Sequence, residues 1–249
     1  MTGTEPGPLA TGLQIEEFDE IGVVAFTTTR AAGSFGLGSA EPVADVMGRW
    51  TSLLDDCRAH GAPALASAGQ VHGADVELHG MGWRGWLRGK DRDGHVTAHR
   101  GVAMAVTIAD CTPVFLAHPG GAIGVLHAGW RGVAAGVMER GVEAMRLLGA
   151  PADELLVHFG PAICGQCYEV GPEVIAAVTG ARASGPRLLD LRANLAGRAR
   201  RAGVRQPRIS DWCTKCHNGR LFSHRAGDAG RQLGVILRSG ANAPNDEMT

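Results

Sequence analysis

The chain has 249 residues, a formal net charge of −1 at pH 7 and a hydrophobic content of 45%. This near-neutral balance argues against a general attraction to nucleic acid or to an anionic membrane surface. No apolar run approaches the roughly 20 residues that span a bilayer, and the first residues lack the basic and apolar regions of a signal peptide. We therefore expect a cytoplasmic protein with no nucleic-acid or membrane partner, whose six cysteines stay mostly reduced.

Hydrophobic periodicity predicts an alternation of strands and helices along the chain. Strands are predicted at 21–30, 64–80, 102–108, 122–126, 154–163 and 231–238, and the second of them is expected to be interrupted or bent at Gly69 and Gly73. Helices are predicted at 43–62, 132–150, 171–181 and 187–204. Segments 82–99 and 207–225 are predicted to be turn-rich or irregular connections. With no internal repeat and no clean linker, we expect one α+β domain over residues 13–238, between a disordered segment 1–12 and a flexible tail 239–249.

Two predicted strands end in side chains that bind metals or act as nucleophiles. The run "VAMAVTI" stops just before Asp110 and Cys111, and the run "AIGVL" is followed at once by His127. Together with His72, these residues supply two imidazoles and one thiolate, a donor set that suits zinc and leaves the fourth tetrahedral position open. The three residues are 39 and 16 positions apart, so a core cysteine and two unrelated histidines are an alternative interpretation.

The same residues also fit a cysteine hydrolase. In that interpretation Cys111 attacks the substrate, one histidine acts as the base, and Asp110 or another polar group orients the base. A metal-bound thiolate and a nucleophilic thiolate both need a lowered pKa, so the residue pattern by itself leaves both interpretations open.

Four further cysteines form two CxxC pairs, "CGQC" at 164–167 and "CTKC" at 213–216. Paired CxxC motifs about 15–20 residues apart are a strong zinc signal, but here 45 residues intervene. A structural zinc site and a redox pair are both consistent with the pattern. We interpret the pairs as loop cysteines close to the active site.

Two arginines lie beside glycine-rich turns, where a guanidinium can hold a phosphate or a carboxylate. These are Arg30 and Arg131, and an open metal site next to such anion-binding groups suits phosphorolysis. No P-loop motif is present in the sequence.

Six sequence motifs, in the order in which they occur along the chain, resemble those of one known family. They are "QVHGADV", "ADCTPVFL", "HAGWRG", "GPAICGQCYEVG", "LDL" and "CTK…FSHR…GR". From about Arg30 to Leu237 the chain is similar to the multicopper polyphenol oxidase or laccase-domain proteins. Some bacterial members are also called peptidoglycan editing factors, and many are described as purine nucleoside phosphorylases. The resemblance implies an α-β-β-α sandwich with mixed sheets and a single metal ion, usually Zn²⁺, held by His72, Cys111 and His127.

The resemblance also implies an activity. We expect a zinc-dependent phosphorylase of adenosine, inosine, guanosine and methylthioadenosine, with adenosine deamination as a second activity, working as a monomer or homodimer. The candidates for binding substrate and phosphate are Arg30, Gln70 and Arg131. The candidate for moving a proton is Asp110. The expected catalytic group consists of Asp110, Cys111, Arg30 and Arg131. The alternatives are a metal-independent, peptidoglycan-related amidase using Cys111 and a copper-dependent polyphenol oxidase. Copper is less expected, because a multicopper cluster needs many more histidine ligands and no axial methionine is evident.

Overall fold

The computed structural model describes residues 7–38 and 40–240. Its fourteen strands are Leu13–Gln14 (β1), Val23–Thr27 (β2), Ala64–Gly69 (β3), Val76–Leu78 (β4), Gly85–Lys90 (β5), Gly94–Thr97 (β6), Val102–Ile108 (β7), Thr112–Ala117 (β8), Ile123–Ala128 (β9), Leu156–Phe159 (β10), Glu169–Val170 (β11), Arg187–Leu188 (β12), Arg208–Ile209 (β13) and Gln232–Arg238 (β14). The described α-helices are Val43–Ala59 (α1), Trp130–Ala134 (α2), Val137–Leu147 (α3), Pro172–Thr179 (α4) and Leu191–Arg201 (α5). Short 3₁₀ turns cover Glu16–Ile21, Arg30–Ala32, Ala152–Glu154 and His224–Ala226.

Two six-stranded mixed sheets form the centre of the molecule. The first has the order β1-β2-β14-β7-β3-β5, and the second has the order β13-β10-β8-β9-β6-β4. Strand β14 is antiparallel to both of its neighbours, whereas β3 is parallel to both β7 and β5. In the second sheet, β8 and β9 form an antiparallel pair that places Pro113 opposite His127. This register brings the start of β8 next to the end of β9.

Alternation of side chains along the strands explains why the sheets are covered on both faces. Met104 and Val106 of β7 face the core between the two sheets, where they meet Phe115 of β8. The residues that alternate with them, Ala103 and Ala105, belong instead to the core beneath α1. Helices α3, α4 and α5 cover the outer face of the second sheet. The layers are therefore helix, sheet, sheet and helix, which confirms the predicted α-β-β-α sandwich in one domain.

Three segments of the structure differ from the sequence predictions for local reasons. The segment 82–99 contains two strands, β5 and β6, because pairing with β3 and β9 overrides its glycine-rich composition. The run from Thr112 to Ala117 is also a strand, although it follows the ligand motif directly. The helix predicted at 132–150 is divided into α2 and α3 by Gly136, whose φ of 88° lies in the left-handed region that a glycine adopts without strain.

At the chain ends, residues 1–6 and 241–249 lie outside the described residues. Residues 8–12 form turns, and the backbone N–H of Leu9 donates a hydrogen bond of 2.9 Å to the carboxylate of Asp56 in α1. At the other end, Gly240 donates its N–H to the carbonyl of Gly61 at 2.9 Å. The domain limits of 13–238 stay a prediction. In the described part of the chain, no helix combines the length and the apolar character needed to cross a bilayer.

Candidate active site

His72, Cys111 and His127 meet at one edge of the sandwich. One donor atom of each residue lies within 4.8 Å of those of the other two. His72 follows β3, Cys111 lies in the turn between β7 and β8, and His127 lies near the end of β9. The register between β8 and β9 places Cys111 beside His127, and the loop after β3 completes the group. The geometry therefore forms a candidate His/Cys metal site.

A buried carboxylate fixes two of these three residues. Asp93, which is fully buried just before β6, accepts a hydrogen bond of 2.7 Å from Nδ1 of His127. The same carboxylate accepts the backbone N–H groups of Val71, His72 and Gly73 at 3.1, 3.0 and 2.7 Å. Because Nδ1 of His127 is engaged, Nε2 is the nitrogen that is left to bind a metal. Asp93 therefore fixes both the orientation of the His127 ring and the conformation of the loop that carries His72.

Unusual backbone conformations occur next to the candidate ligands. His72 and Asp110 have φ values of 58° and 81°, in the left-handed region that side chains other than glycine rarely adopt. Asp110 is held there by its own carboxylate, which accepts hydrogen bonds from Oγ1 of Thr214 at 2.5 Å and from the backbone N–H of Arg225 at 2.7 Å. Strained residues of this kind persist where the surrounding structure fixes them, and they concentrate at functional sites.

Gly129 leaves space for the candidate ligands. A Cβ atom at this position would lie 3.0 Å from Sγ of Cys111 and 3.0 Å from Cδ2 of His72. Any side chain at residue 129 would therefore press on two of the three candidate ligands.

The charges of the buried groups are coupled. Burial alone would raise the pKa of the Cys111 thiol, but the charge and hydrogen bond of His127, assisted by His72, lower the pKa to about 6. Burial alone would lower the pKa of His127, but Cys111 and Asp93 raise that pKa to about 9. Both shifts favour the thiolate form of Cys111 and the imidazolium form of His127 in the metal-free pair. A thiolate at this position is a ligand for a soft or borderline cation and also a nucleophile.

Two cavities adjoin the candidate ligands. The larger has a volume of about 480 Å³, and the smaller has a volume of about 300 Å³. His72, Cys111 and His224 line both cavities. The larger cavity is also lined by Phe35, Gly36, Leu37, Gly38, Trp50, Ser67, Ala68, Gly69, Gln70, Arg88, Thr107, Ala109, His127 and Arg231. The smaller cavity is also lined by Ala109, Asp110, Gly129, Trp130, Arg131, Ile163, Tyr168, Leu191 and Arg225.

The other residues predicted from the sequence lie in different surroundings. Gln70 lines the larger cavity, although its side-chain oxygen accepts hydrogen bonds from the N–H and Oγ1 of Thr107, at 2.7 and 2.8 Å. Arg131 lines the smaller cavity and lies 4.3 Å above the ring of Trp130.

Arg30 does not line either cavity in the described part of the chain. Its guanidinium forms an ion pair with Asp228 and donates to the carbonyls of Asn218 and Leu221 at 2.6 and 3.1 Å. It also lies 4.4 Å above the ring of Phe222. Arg30 thus holds the segment 218–228, and the predicted contact with phosphate would require the ion pair to open.

Sequence reasoning missed three residues of the site. Asp93 lies in a run of charged residues and glycines that resembles a surface turn, so its burial leaves no local signal. His224 and Arg225 belong to the "SHR" motif used for the resemblance, but only the fold places them on the smaller cavity. The guanidinium of Arg225 lies 4.9 Å from the centre of the Tyr168 ring.

Comparisons with known proteins identify the class. The chain belongs to the multi-copper polyphenol oxidoreductase laccase family, whose model matches residues 27–239. It is 40% identical over 176 residues to the purine nucleoside phosphorylase ORF3 of Streptomyces griseus, covering 67% of this chain and 71% of that one. It is 35% identical over 147 residues to the adenosine deaminase RL5 of an unknown prokaryotic organism, covering 53% of this chain and 56% of that one.

A solved structure agrees with this assignment. The protein YfiH of Bacillus licheniformis superposes with a TM-score of 0.82 and 25% identity, covering 92% of this chain and 97% of that one. The resemblance inferred from the motifs is therefore confirmed. Because relatives carry the names of enzymes, the comparisons also support an enzyme.

Proposed function

We propose that this protein is a zinc-dependent purine nucleoside phosphorylase acting on adenosine, inosine, guanosine and methylthioadenosine. The observation that carries the proposal is the meeting of His72, Cys111 and His127 at the junction of two cavities. The name of the Streptomyces relative supports the same reaction.

The chemistry of the donor set supports zinc. Two imidazole nitrogens and one thiolate match the ligands that zinc prefers, and three protein ligands leave one coordination position for a reactant. Asp93 supplies the carboxylate–histidine contact that commonly orients a metal-binding imidazole. Within the described chain, neither cavity is lined by a methionine that could serve as the axial ligand of a copper site. When bound, zinc supplies Lewis acidity to an oxygen of the attacking reactant.

The two cavities suit the two substrates. We place the nucleoside in the larger cavity, whose volume falls in the usual range for small-molecule sites and whose lining includes Phe35, Gln70 and Arg88. We place phosphate in the smaller cavity, which is lined by Arg131 and Arg225, whose guanidinium groups carry the positive charge and N–H donors that an anion needs.

In the proposed reaction, a phosphate oxygen forms a bond to C1′ of the ribose while the bond from C1′ to the purine nitrogen breaks. The products are the purine base, which takes up a proton at the released nitrogen, and ribose 1-phosphate, or 5-methylthioribose 1-phosphate when the substrate is methylthioadenosine. Both carboxylate oxygens of Asp110 already accept hydrogen bonds, which supports a positioning role for Asp110 over the proton transfer expected from the sequence. His224, an exposed imidazole lining both cavities, is the better candidate for delivering the proton.

Adenosine deamination is a second candidate reaction, favoured by the name of the RL5 relative and by the same three-residue site. Here water adds to C6 of the purine and ammonia leaves, so that adenosine becomes inosine. A metal-free cysteine hydrolase is the third candidate, because Cys111, His127 and Asp93 are arranged as nucleophile, base and orienting carboxylate. The six free thiols fit a reducing compartment, and we therefore also propose a cytoplasmic location. A monomer or homodimer stays a prediction.

One experiment separates these reactions. The purified protein is assayed for metal content and incubated with adenosine, with and without phosphate, while adenine and inosine are followed by mass spectrometry. We expect adenine to form only when phosphate is present, and activity to disappear in Cys111→Ala and His127→Ala but not in the control Cys57→Ala. If Cys111→Ala and His127→Ala form adenine or inosine as fast as the wild type does, the site assignment is wrong. Activity that survives complete metal removal and is abolished by thiol alkylation would favour the hydrolase.

A further inference from the structure

The four cysteines of the two CxxC pairs lie together. Their Sγ atoms are all within 4.8 Å of one another, although 45 residues separate the pairs along the chain. The Sγ atoms of Cys167 and Cys216 are 3.5 Å apart. Four thiolates around a tetrahedral zinc ion, with zinc–sulfur bonds of about 2.3 Å, have sulfur–sulfur distances of about 3.8 Å. The observed cluster therefore needs only small shifts to surround one ion.

Backbone amides are directed at one of these sulfur atoms. The N–H groups of Cys164 and Cys216 donate to Sγ of Cys213 at 3.3 and 3.4 Å. Hydrogen bonds that favour the charged form of a group stabilise that form, here a thiolate. The amides also offset part of the net charge of −2 that four thiolates and one Zn²⁺ carry together.

The backbone holds the two CxxC segments in register. Ala162 and Cys213 form a parallel bridge, and Thr214 donates its N–H to the carbonyl of Ala162 at 3.2 Å. Cys213 is buried, whereas Cys216 is exposed. The cluster is thus partly ordered by the fold and open to a metal ion from solvent on one side.

We propose that Cys164, Cys167, Cys213 and Cys216 form a second metal site, which binds one structural zinc ion through four thiolates. The four thiols release their protons to solvent as the ion binds. This assignment replaces our interpretation of the pairs as simple loop cysteines, since unrelated loop cysteines have no reason to converge with amides directed at a sulfur.

The proposed ion would also stabilise the candidate active site from a distance. Ile163, next to Cys164, donates its N–H to the carbonyl of Asp110 at 3.1 Å. Thr214, next to Cys213, donates its hydroxyl to the Asp110 carboxylate at 2.5 Å. Two of the three segments that hold Asp110 are therefore joined at the cysteine cluster, and we assign the second ion a positioning role.

The test is zinc stoichiometry in protein purified with a reductant. We expect two zinc ions per wild-type chain, one in Cys111→Ala, one in Cys167→Ser/Cys216→Ser, and none when these substitutions are combined. The control Cys57→Ala, in helix α1, keeps both ions. Because the second ion is counted in the Cys111→Ala background, the result does not depend on the proposed phosphorylase activity.

Three outcomes would overturn the second site. They are unchanged zinc in the Cys167→Ser/Cys216→Ser variant, iron in place of zinc, and a chain mass lower by two hydrogens, which indicates a disulfide in that cluster. If the double variant does not fold, Cys216→Ser alone changes an exposed side chain. In that case Co²⁺ is bound to the Cys111→Ala protein with and without the Cys216→Ser substitution. We expect the thiolate-to-Co²⁺ charge-transfer absorbance to fall by about a quarter when Cys216 is replaced, because one of four thiolates is lost. Unchanged absorbance would contradict the site.

Discussion

Asp93 and His127 form a buried pair in which the carboxylate accepts a hydrogen bond of 2.7 Å from Nδ1 of the imidazole. The same carboxylate accepts three consecutive backbone N–H groups from the loop that carries His72. One side chain therefore positions two candidate metal ligands that are 55 residues apart in the sequence. The pKa of Asp93 is lowered even though burial opposes ionisation, because these hydrogen bonds stabilise the carboxylate.

The first prediction concerns metal affinity. Asp93→Asn keeps the shape of the side chain but removes its charge and one acceptor, so His127 and the His72 loop lose part of their support. We expect zinc affinity to fall by about 10- to 100-fold, as is typical for such orienting groups, measured by competition with a chelator. Asp75→Asn is the matched control, because Asp75 pairs with Arg140 through exposed side chains. Equal affinities in the two variants would contradict the role of Asp93.

The second prediction uses the crowding at Gly129. In Gly129→Ala, the new methyl group contacts Cys111 and His72 at about 3.0 Å, so one of them must move. We expect weaker zinc binding and slower phosphorolysis than in the wild type, while the two metal-free proteins unfold at similar temperatures. Gly48→Ala, where a Cβ meets no atom within 4 Å, is the control and should retain zinc while gaining about 1 kcal/mol of helix stability. Normal zinc binding by Gly129→Ala would show that the ligand group tolerates a side chain there.

The third prediction concerns phosphate. Arg131→Gln removes a guanidinium from the smaller cavity, and we expect the KM for phosphate to rise with little change in the KM for adenosine. Arg140→Gln is the control, because Arg140 lies on the surface in a pair with Asp75. A rise in the adenosine KM alone would place the nucleoside, and not phosphate, in the smaller cavity.

The fourth prediction decides how Arg30 acts. If Arg30 works by holding the segment 218–228 through Asp228, then Arg30→Met, Asp228→Asn and the double variant should lose similar amounts of kcat/KM. Residues that act as one unit show this non-additivity. We expect that pattern in steady-state kinetics. A rise in the phosphate KM that occurs in Arg30→Met but not in Asp228→Asn would instead support direct phosphate binding by Arg30.

The fifth prediction is a pH dependence of stability. Nε2 of His79 and Nδ1 of His95 lie 2.9 Å apart in the interior. Burial, together with the nearby charges of His79 and Arg92 and against the attraction of Asp93, lowers the pKa of His95 to about 3. Burial also lowers the pKa of His79, against the raising effect of Glu77. Between the ordinary histidine value near 6.5 and these lowered values, the unfolded chain binds more protons than the folded chain.

The stability contributed by neutral His95 is therefore complete above pH 6.5 and falls as the pH decreases toward 3, by about 1.4 kcal/mol per pH unit. Protonation of His79, whose pKa is also lowered, adds to this loss. Urea unfolding of the wild type between pH 7.5 and 5 should show this loss, and His95→Gln should show a smaller slope. His60→Gln, which changes an exposed residue, should match the wild type. A slope unaffected by His95→Gln would show that other groups cause the acid sensitivity.

The sequence predicted most of the long elements because their signals are local. Helix α1 follows a clear 3.6-residue pattern, and α4 begins at Pro172 and ends before Gly180, whose φ of 74° is typical of a helix C-terminus. The predictions missed the strands within 82–99 and at Thr112–Ala117 and the break within 132–150, where strand pairing and one left-handed glycine decided the outcome. Neither influence appears in the hydrophobic periodicity of a single segment.

By itself, the sequence determined which residue types end the central strands, where the long helices lie and which family the motifs resemble. Only the tertiary structure decided that Asp93 orients His127, that Arg30 pairs with Asp228, and that four distant cysteines meet. The physical reason is that hydrophobic periodicity and helix or strand end signals are properties of a single segment. Buried polar contacts depend instead on which segments the sheets bring together. The Arg30–Asp228 contact joins residues 198 positions apart, and the pairing of β2 with β14 brings those two parts of the chain together.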